Sequence, residues 1–443
     1  MGSDGLAANT ELLAWPPQQV FSKPLVLTSP LPQCEVCIIV PVRNEAENLE
    51  ATLTALAYQT DLQGQPFNPK RYEIILLANN CCDDSAAIAQ RFAEQHPALA
   101  LHVVEITLPR TQAYIGRVRK ILMDEAYCRL TMLGRRHGVI ASTDGDTQVA
   151  PTWIAANLYE IACGVDAVGG RILTEHAGRH ALDPITRSYY LREVGYRYLV
   201  AELETYLDND PYDPWPRHYQ HFGASLAVTA QMYEQAGGLP PVRTPEDVAF
   251  YRALVRANVR FRHSPLVRVR TSARKIGRTN LGLANQLSEW AAMGSQNQPF
   301  LVESAAAIET RLRGRHGLRM LWWRFLNGYQ PTFKDITPLA NDLEVAAGWL
   351  MQELMLPHTF GLLIERIEQH QQAGDWIKRW PLVDIKQAIS DLRLRLDCLR
   401  REPSSREDLK TSPLWIRGRG AKEQQLSYDV ARPMLQVDRK VTV

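Results

Sequence analysis

The chain has 443 residues and 45% apolar composition, enough to bury a large core and to build two or three structural units. Its 50 basic residues nearly cancel its 48 acidic ones, and the remaining formal charge of +2 argues for neither nucleic acid nor an anionic membrane as an obligatory partner. The seven cysteines are scattered and odd in number, without the dense spacing of a disulfide-stapled secreted domain, and they predict a reduced, cytoplasmic protein.

Residues 1–33 carry Pro16, Pro17, Pro24, Pro30 and Pro32 and read as an irregular arm, because prolines that dense preclude regular structure. The pattern then alternates. An apolar run Val36–Val40 is followed by a helix Glu45–Tyr58, a strand Tyr72–Leu77, a helix Asp84–His96 and a strand Leu101–Ile106. A helix near Ile115–Leu133, a strand Gly138–Ala141, a helix Pro151–Cys163 and a strand Ala167–Arg171 continue the series. Such alternation predicts an α/β fold, a mostly parallel sheet covered by helices on both faces. Ligands collect at the carboxyl ends of the strands in sheets of this kind.

Beyond about Thr279 the strand signals stop, and stretches such as Ala340–Met355 and Leu382–Arg401 predict a helical C-terminal region, 281–443, with a tail from Glu402. The N-terminus lacks the pattern of a secretory signal. The longest apolar stretch, Val345–Ile364, is broken by Glu353, Pro357 and His358, so no membrane span is expected. A peripheral membrane contact and a homodimer stay open.

The most informative motif is Asp144-Gly145-Asp146, directly after the strand Gly138–Ala141. Two carboxylates one residue apart at a strand end make a hard oxygen site for Mg²⁺ or Mn²⁺, and such an ion usually completes its shell with phosphate. The same three residues are also good turn chemistry, with Gly supplying positive φ.

Other polar clusters fall at neighbouring strand ends. Pro41 closes the first strand, and Asn44 and Glu45 after it suit a ribose or base edge, or simply cap a helix. Asn79, Asn80, Asp83 and Asp84 follow the second strand and can meet a nucleobase or form an Asx-rich turn. Arg117, Arg119 and Lys120 stand at a helix N-terminus, where the macrodipole does not favour cations, which hints at an anion nearby.

Glu246 and Asp247 open another helix, as first-turn acids or as a general base for a hydroxyl nucleophile. The segment 260–278 holds Arg260, Arg262, Arg268, Arg270, Arg274, Lys275 and Arg278 with no acid, a charge suited to a diphosphate leaving group. Neither G-x-G-x-x-G nor a Walker loop is present, which counts against a dinucleotide dehydrogenase or a P-loop enzyme. Cys34 and Cys37 have CxxC spacing but no second pair to complete a zinc site, so a structural role is expected.

Taken in order, Ile38-Ile39-Val40-Pro41-Val42-Arg43-Asn44-Glu45, the turn Asn79–Ser85, Asp144-Gly145-Asp146, and Gly237-Gly238-Leu239 followed by Pro245-Glu246-Asp247 resemble the inverting glycosyltransferases of family 2. The resemblance covers 34–280. It implies a GT-A type, Rossmann-like mixed sheet, mostly parallel, with flanking helices. It also implies a donor sugar carried on UDP or GDP, bordered by Pro41, Asn44, Glu45, Asn79, Asn80 and Asp83, with Arg117, Lys120, Arg270 and Arg274 toward the diphosphate. Asp144 would contact the ribose or the metal, and Asp146 would ligate the Mn²⁺ or Mg²⁺. Asp247 would be the base that deprotonates the acceptor hydroxyl of a carbohydrate, small molecule or lipid-linked acceptor, with Glu246 positioning its loop.

Three departures stand out. Asn79 or Asn80 stands where the family usually has a base-binding Asp. Val269-Arg270-Thr271-Ser272 stands where many relatives carry a metal-binding His, leaving His263 as a weaker candidate ligand. Gln286-Leu287-Ser288-Glu289-Trp290 is similar to the Q-x-x-R-W box of processive synthases but has Glu in place of Arg, so transfer of a single sugar is expected. Aromatic residues between Tyr189 and His221 suit sugar rings or an apolar aglycone, with core packing the role of most of them, and His221, Phe222 and Gly223 are the candidates for the acceptor side. Two rivals are a sugar-nucleotide pyrophosphorylase, whose Gly-rich first loop is absent, and a non-catalytic nucleotide-sugar-binding protein of the same fold.

Overall fold

A computed structural model describes residues 24–175, 180–243, 245–272, 283–296, 298–356, 359–374 and 376–401. Most of the N-terminal arm, Thr244, Arg274, Lys275, Arg278 and the C-terminal tail lie outside the described residues.

The first half alternates as expected except for β5, a short strand that follows β4 directly: β1 (Val36–Val42), α1 (Leu49–Ala57), β2 (Tyr72–Asn79), α2 (Ser85–Gln95), β3 (Leu101–Ile106), α3 (Ile115–Met132), β4 (Val139–Ser142), β5 (Thr147–Val149), α4 (Trp153–Ala162) and β6 (Ala167–Thr174). Then come α5 (Pro184–Leu207), β7 (Leu226–Thr229), α6 (Ala230–Gln235), α7 (Glu246–Arg256) and β8 (Phe261–Thr271). The helical part contains α8 (Leu283–Ser295), β9 (Leu301–Val302), α9 (Ala305–Leu326), α10 (Phe333–Asp342), α11 (Ala347–Met355), α12 (Phe360–Ala373), α13 (Trp376–Arg379), β10 (Val383–Asp384) and α14 (Ile385–Arg401).

The main sheet has the order β3-β2-β1-β4-β7-β6-β8-β5. Pairs β3-β2, β2-β1, β1-β4 and β6-β8 are parallel, whereas β4-β7, β7-β6 and β8-β5 are antiparallel. The chain steps from β1 outward to β2 and β3 and then returns on the other side with β4. The carboxyl ends of β1 and β4 therefore flank a topological switch point.

Alternation within the strands splits the core into two layers. Val36, Ile38, Val40 and Val42 pack against Leu49, Leu53, Phe92, Trp153 and Ile154 on one face. Cys37 and Ile39 pack against Leu122, Met123, Tyr233, Phe250 and Leu254 on the other. Burial of both faces explains why β1 and β2 read as continuous apolar runs.

A third cluster joins Tyr196, Leu203 and Leu207 of α5 to Ile308 and Leu312 of α9 and to Ile385, Ala388, Leu392 and Leu396 of α14. Beside it Asp208, with a fully buried side chain, accepts from Arg315 and from Arg319, the latter at 3.0 and 3.1 Å. Glu204 pairs with Arg217 at 3.1 Å and with Arg315.

Four local expectations change. Pro41 lies inside β1 rather than ending it: β4 pairs only with Val36–Ile39, so the missing N–H of Pro41 leaves no ladder bond broken on that side. The first helix begins at Leu49 rather than Glu45, because Asn44 turns the chain with φ +56°. The stretch Ala340–Met355 is two helices, separated where Glu344 takes φ +54° and Leu343 and Val345 turn into the core. Strands do occur beyond residue 279, as the two-residue pair β9-β10.

Candidate active site

The site forms where the ends of β1 and β4 meet the N-termini of α3 and α7. Its centre is Arg119, whose side chain is 5% exposed. The Nη2 group of Arg119 donates to Asp144 Oδ1 at 2.9 Å, and its Nε donates to Glu246 Oε1 at 3.2 Å. The Nη1 group donates to the Gly223 carbonyl at 3.0 Å and to the Ser142 hydroxyl. One planar fork thus ties the motif after β4 to the acidic pair at the start of α7 and to the loop before β7. Guanidinium dimensions keep the Asp144 and Glu246 carboxylates within roughly 8 Å of each other.

Burial works against the charge on Arg119, but attraction from Asp144 and Glu246 outweighs it and lifts the guanidinium pKa above its ordinary value. Glu246 shows the converse: burial raises its carboxyl pKa, and Arg119 only partly offsets that. Asp247, the next residue, accepts from the Gly223 amide at 3.0 Å and from its own Val248 amide at 2.8 Å. Gly223 therefore bridges the two, its carbonyl on Arg119 and its amide on Asp247. A Cβ at position 223 would sit 2.5 Å from Arg119 Cζ, so the approach requires glycine.

Asp144 and Asp146 have different surroundings. Asp144 is committed to Arg119. Asp146 accepts from Ser272 Oγ at 2.9 Å and from Thr147 Oγ1 at 3.4 Å. Ser272 follows β8, whose Thr271 is the register partner of Thr147, so the position where a metal-binding His was expected does touch Asp146, as a serine. A carboxylate with hydroxyl neighbours is an oxygen-only donor set of the kind that fits Mg²⁺ or Mn²⁺, and Asp146 is the carboxylate that could hold such an ion. Gly145 is not among the residues with positive φ; its need is clearance, since a Cβ there would stand 3.1 Å from both Glu45 Cγ and Val42 Cγ2. Thr52 Oγ1 donates to the Gly145 carbonyl at 3.1 Å, fastening the turn against α1.

The first two loops are braced against each other. Asn44 Oδ1 accepts from the Cys82 amide at 2.8 Å, and the Glu45 amide donates to Ser85 Oγ at 2.7 Å. Asp83 accepts from the Ala46 amide, the Ser85 amide and the Ser85 hydroxyl, so it is bound up in the turn. The Asn80 side chain is spent on the Leu108 amide and carbonyl. Asn79, by contrast, is 3% exposed and its Oδ1 has no hydrogen-bond partner.

The remaining candidates are dispersed. Lys120 sits in a buried pair with Asp124 at 3.0 Å, next to Tyr233, whose hydroxyl also donates to Asp124; Arg119 rather than Lys120 reaches the motif. The Arg117 Nε is buried without a partner. Arg270 is exposed on β8 opposite Gln148. His263 lies at the other end of β8 from Thr271 and bonds Asp213 at 2.6 Å, away from Asp146. On the acceptor side His221 stacks on Tyr251 at 3.8 Å, and burial holds its pKa down to about 3, which keeps the ring neutral. Phe222 is part exposed beside Gly223. Leu287 and Trp290 of the Q-x-x-E-W stretch pack with Leu182, Tyr189 and Tyr190, whereas Gln286 and Glu289 are exposed.

Cys34, Cys37 and Glu73 form a second, fully buried group whose ligand atoms lie within 4.8 Å of one another. The Glu73 oxygens are already engaged by Arg129 Nε at 2.7 Å and by the Leu31 amide, and among the described residues no second thiol pair faces them, so the group is a structural anchor of the arm.

Together, the ends of β1 and β4, the Asp144-Gly145-Asp146 turn and the acidic pair Glu246 and Asp247 meet around Arg119. Residues 37–211 match the family model described as glycosyl transferase family 2. A curated relative, Glycosyltransferase AglE of Haloferax volcanii, is 25% identical over 200 residues, which cover 43% of this chain and 59% of the relative. The chain thus spans about three fifths of that relative's length. Two solved structures are similar at lower levels. The mannosyltransferase PcManGT from Pyrobaculum calidifontis in complex with GDP-Man and Mn²⁺ has a TM-score of 0.39 and 18% identity, covering 88% of this chain and 87% of that one. TarS 1–349 of S. aureus in complex with UDP has a TM-score of 0.37 and 10% identity, covering 82% and 91%. Likenesses of that size bear on neither mechanism nor substrate.

Proposed function

We propose that this chain is a metal-dependent, inverting glycosyltransferase that moves one sugar from a UDP or GDP sugar to a hydroxyl of a carbohydrate, small-molecule or lipid-linked acceptor, working in the cytoplasm. The observation that carries the reading is the single guanidinium of Arg119 joining Asp144 to Glu246 and, through Gly223, to Asp247. These contacts support a reading in which the donor side and the base side share one site.

In this reading the β1 and β2 loops, with Asn44, Glu45 and the unpartnered Asn79 oxygen, receive the nucleotide. Asp146 holds the divalent ion. When bound, Mn²⁺ or Mg²⁺ would neutralise charge growing on the leaving diphosphate. Arg270, and Arg274 beyond the described residues, supply further positive charge for the same anion. Asp247, aimed by the Gly223 amide, takes the proton from the acceptor hydroxyl as that oxygen attacks the anomeric carbon from the face opposite the diphosphate. The anomeric configuration inverts. Phe222 and His221, one and two residues before Gly223, border the acceptor.

A thermal-shift series with UDP, GDP and their sugars, with and without Mn²⁺, tests this, because a ligand bound to the native state raises apparent stability. The expected result is a nucleotide shift that requires Mn²⁺ and disappears in Asp146→Ala. A chain that shifts with no nucleotide would overturn the reading.

A further inference from the structure

The helices α9 and α10 pack as a hairpin through Leu318, Leu321, Ile336 and Ala340. Trp322 turns inward, its ring 5.6 Å from that of Phe360. The corner of the same hairpin does the opposite. Met320, Trp323, Leu326 and Phe333 are 48%, 47%, 59% and 60% exposed, although each could have been polar at no cost to the core. Leu326 ends α9 and Phe333 begins α10, so these side chains flank one short turn through Gly328, where φ is +90°.

The charge around this corner has one sign. No acidic residue occurs from Thr310 to Lys334. Deeper along α9 the cations are taken up internally: Arg311 by Glu303, Arg313 by Glu309, Arg315 by Glu204 and Asp208, and Arg319 by Asp208. At the corner itself Arg324 stands 3.8 Å over the Tyr329 ring, and Lys334 is exposed. The first acid beyond, Asp335, is turned into the α10 cap, accepting from the Thr332 amide and hydroxyl and from the Tyr329 hydroxyl.

The geometry points to a docking surface for an anionic lipid bilayer. A Trp with neighbouring Leu, Phe and Met suits the headgroup boundary, where an aromatic ring is half wet, and the two cations suit negative headgroups. A second copy of the chain fits less well, because a twofold contact through this corner would set Arg324 and Lys334 against their own like charges. The surface acts independently of sugar transfer, so its failure leaves the transfer reading untouched.

The test is flotation of the full chain with vesicles of phosphatidylcholine alone and of phosphatidylcholine mixed with phosphatidylglycerol. Wild type should float with the mixed vesicles, release in high salt, and stay behind with the neutral ones. The variant Trp323→Ser/Leu326→Ser/Phe333→Ser should lose binding, and Arg324→Glu/Lys334→Glu should weaken it by at least roughly 30-fold. All five positions are exposed, so unchanged thermal melting of both variants verifies their folding. Wild type that fails to float, floats equally with neutral vesicles, or binds no better than both variants overturns the proposal. So does concentration-dependent dimerisation by wild type alone without lipid binding.

Discussion

Arg119 and Asp144 form an ion pair 2.9 Å long in which the cation is buried and the carboxylate, 34% exposed, faces the site. The same guanidinium is the counter-charge of Glu246, which is only 5% exposed. Replacing Arg119 with Ala would strand that carboxylate. The expected loss is about 3 kcal/mol or more in chemical denaturation, because breaking a buried pair leaves an uncompensated charge. The double variant Arg119→Ala/Glu246→Gln should recover part of it, and additive losses would contradict the pairing.

Gly223→Ala should imitate a weakened Arg119. The new Cβ would sit 2.5 Å from Arg119 Cζ, and a guanidinium with several fixed partners cannot swing away. Destabilisation of about 1–3 kcal/mol is expected, typical of overpacking. A smaller Mn²⁺-dependent nucleotide shift should accompany it in the same thermal-shift assay.

Asp247→Asn retains one carbonyl oxygen, enough to accept the Gly223 or Val248 amide, so the fold and donor binding should persist. Turnover should fall by roughly 10²–10⁴-fold, the usual worth of a general base. Steady-state rates alongside nucleotide binding separate the two effects. Equal loss of both would remove Asp247 from the role of base.

Ser272→Ala removes the hydroxyl that bonds Asp146 at 2.9 Å. The Mn²⁺ concentration for half-maximal nucleotide shift should rise by roughly tenfold, the scale expected when a partner that orients a ligand is deleted. Asp146→Ala should abolish the Mn²⁺ dependence outright. An unchanged Mn²⁺ requirement in Ser272→Ala would show that this bond does not tune the ion.

Glu73 gives the stability a pH signature. Burial alone would raise its pKa, but bonds from His102, Arg129 and the Leu31 amide outweigh that and lower it from 4.5 to about 2. The native state therefore favours the carboxylate, a contribution of up to about 3 kcal/mol that is complete above pH 4.5 and disappears as pH falls toward 2. Glu73→Gln should start less stable at neutral pH and show a shallower slope across that window in denaturation curves.

Much of this was readable from the chain because the signals are local. The order of strands and helices through residue 174, apart from the three-residue β5, follows from runs of β-branched residues and Leu punctuated by polar turns, and those turns fall at strand ends where the motifs lie. The role of Arg119 was hidden for the opposite reason. Arg117, Arg119 and Lys120 look equivalent in sequence, yet successive residues point about 100° apart around a helix, and only tertiary packing selects which one faces Asp144. Gly145 misled in a similar way, since the need for clearance against Val42 and Glu45 leaves no local mark. The break near Glu344 was also hidden, because good helix formers surround it and the demand to bury Leu343 and Val345 comes from α9 and α12.

The shared core of α5, α9 and α14 bears on how the molecule can be cut. A fragment ending near residue 280 would retain α5 but expose Tyr196, Leu203 and Leu207 to water. It would also leave the Asp208 carboxylate without Arg315 and Arg319. The helices after residue 280 are therefore a wall of the same building as the sheet, and a soluble minimal version of the chain has to keep them.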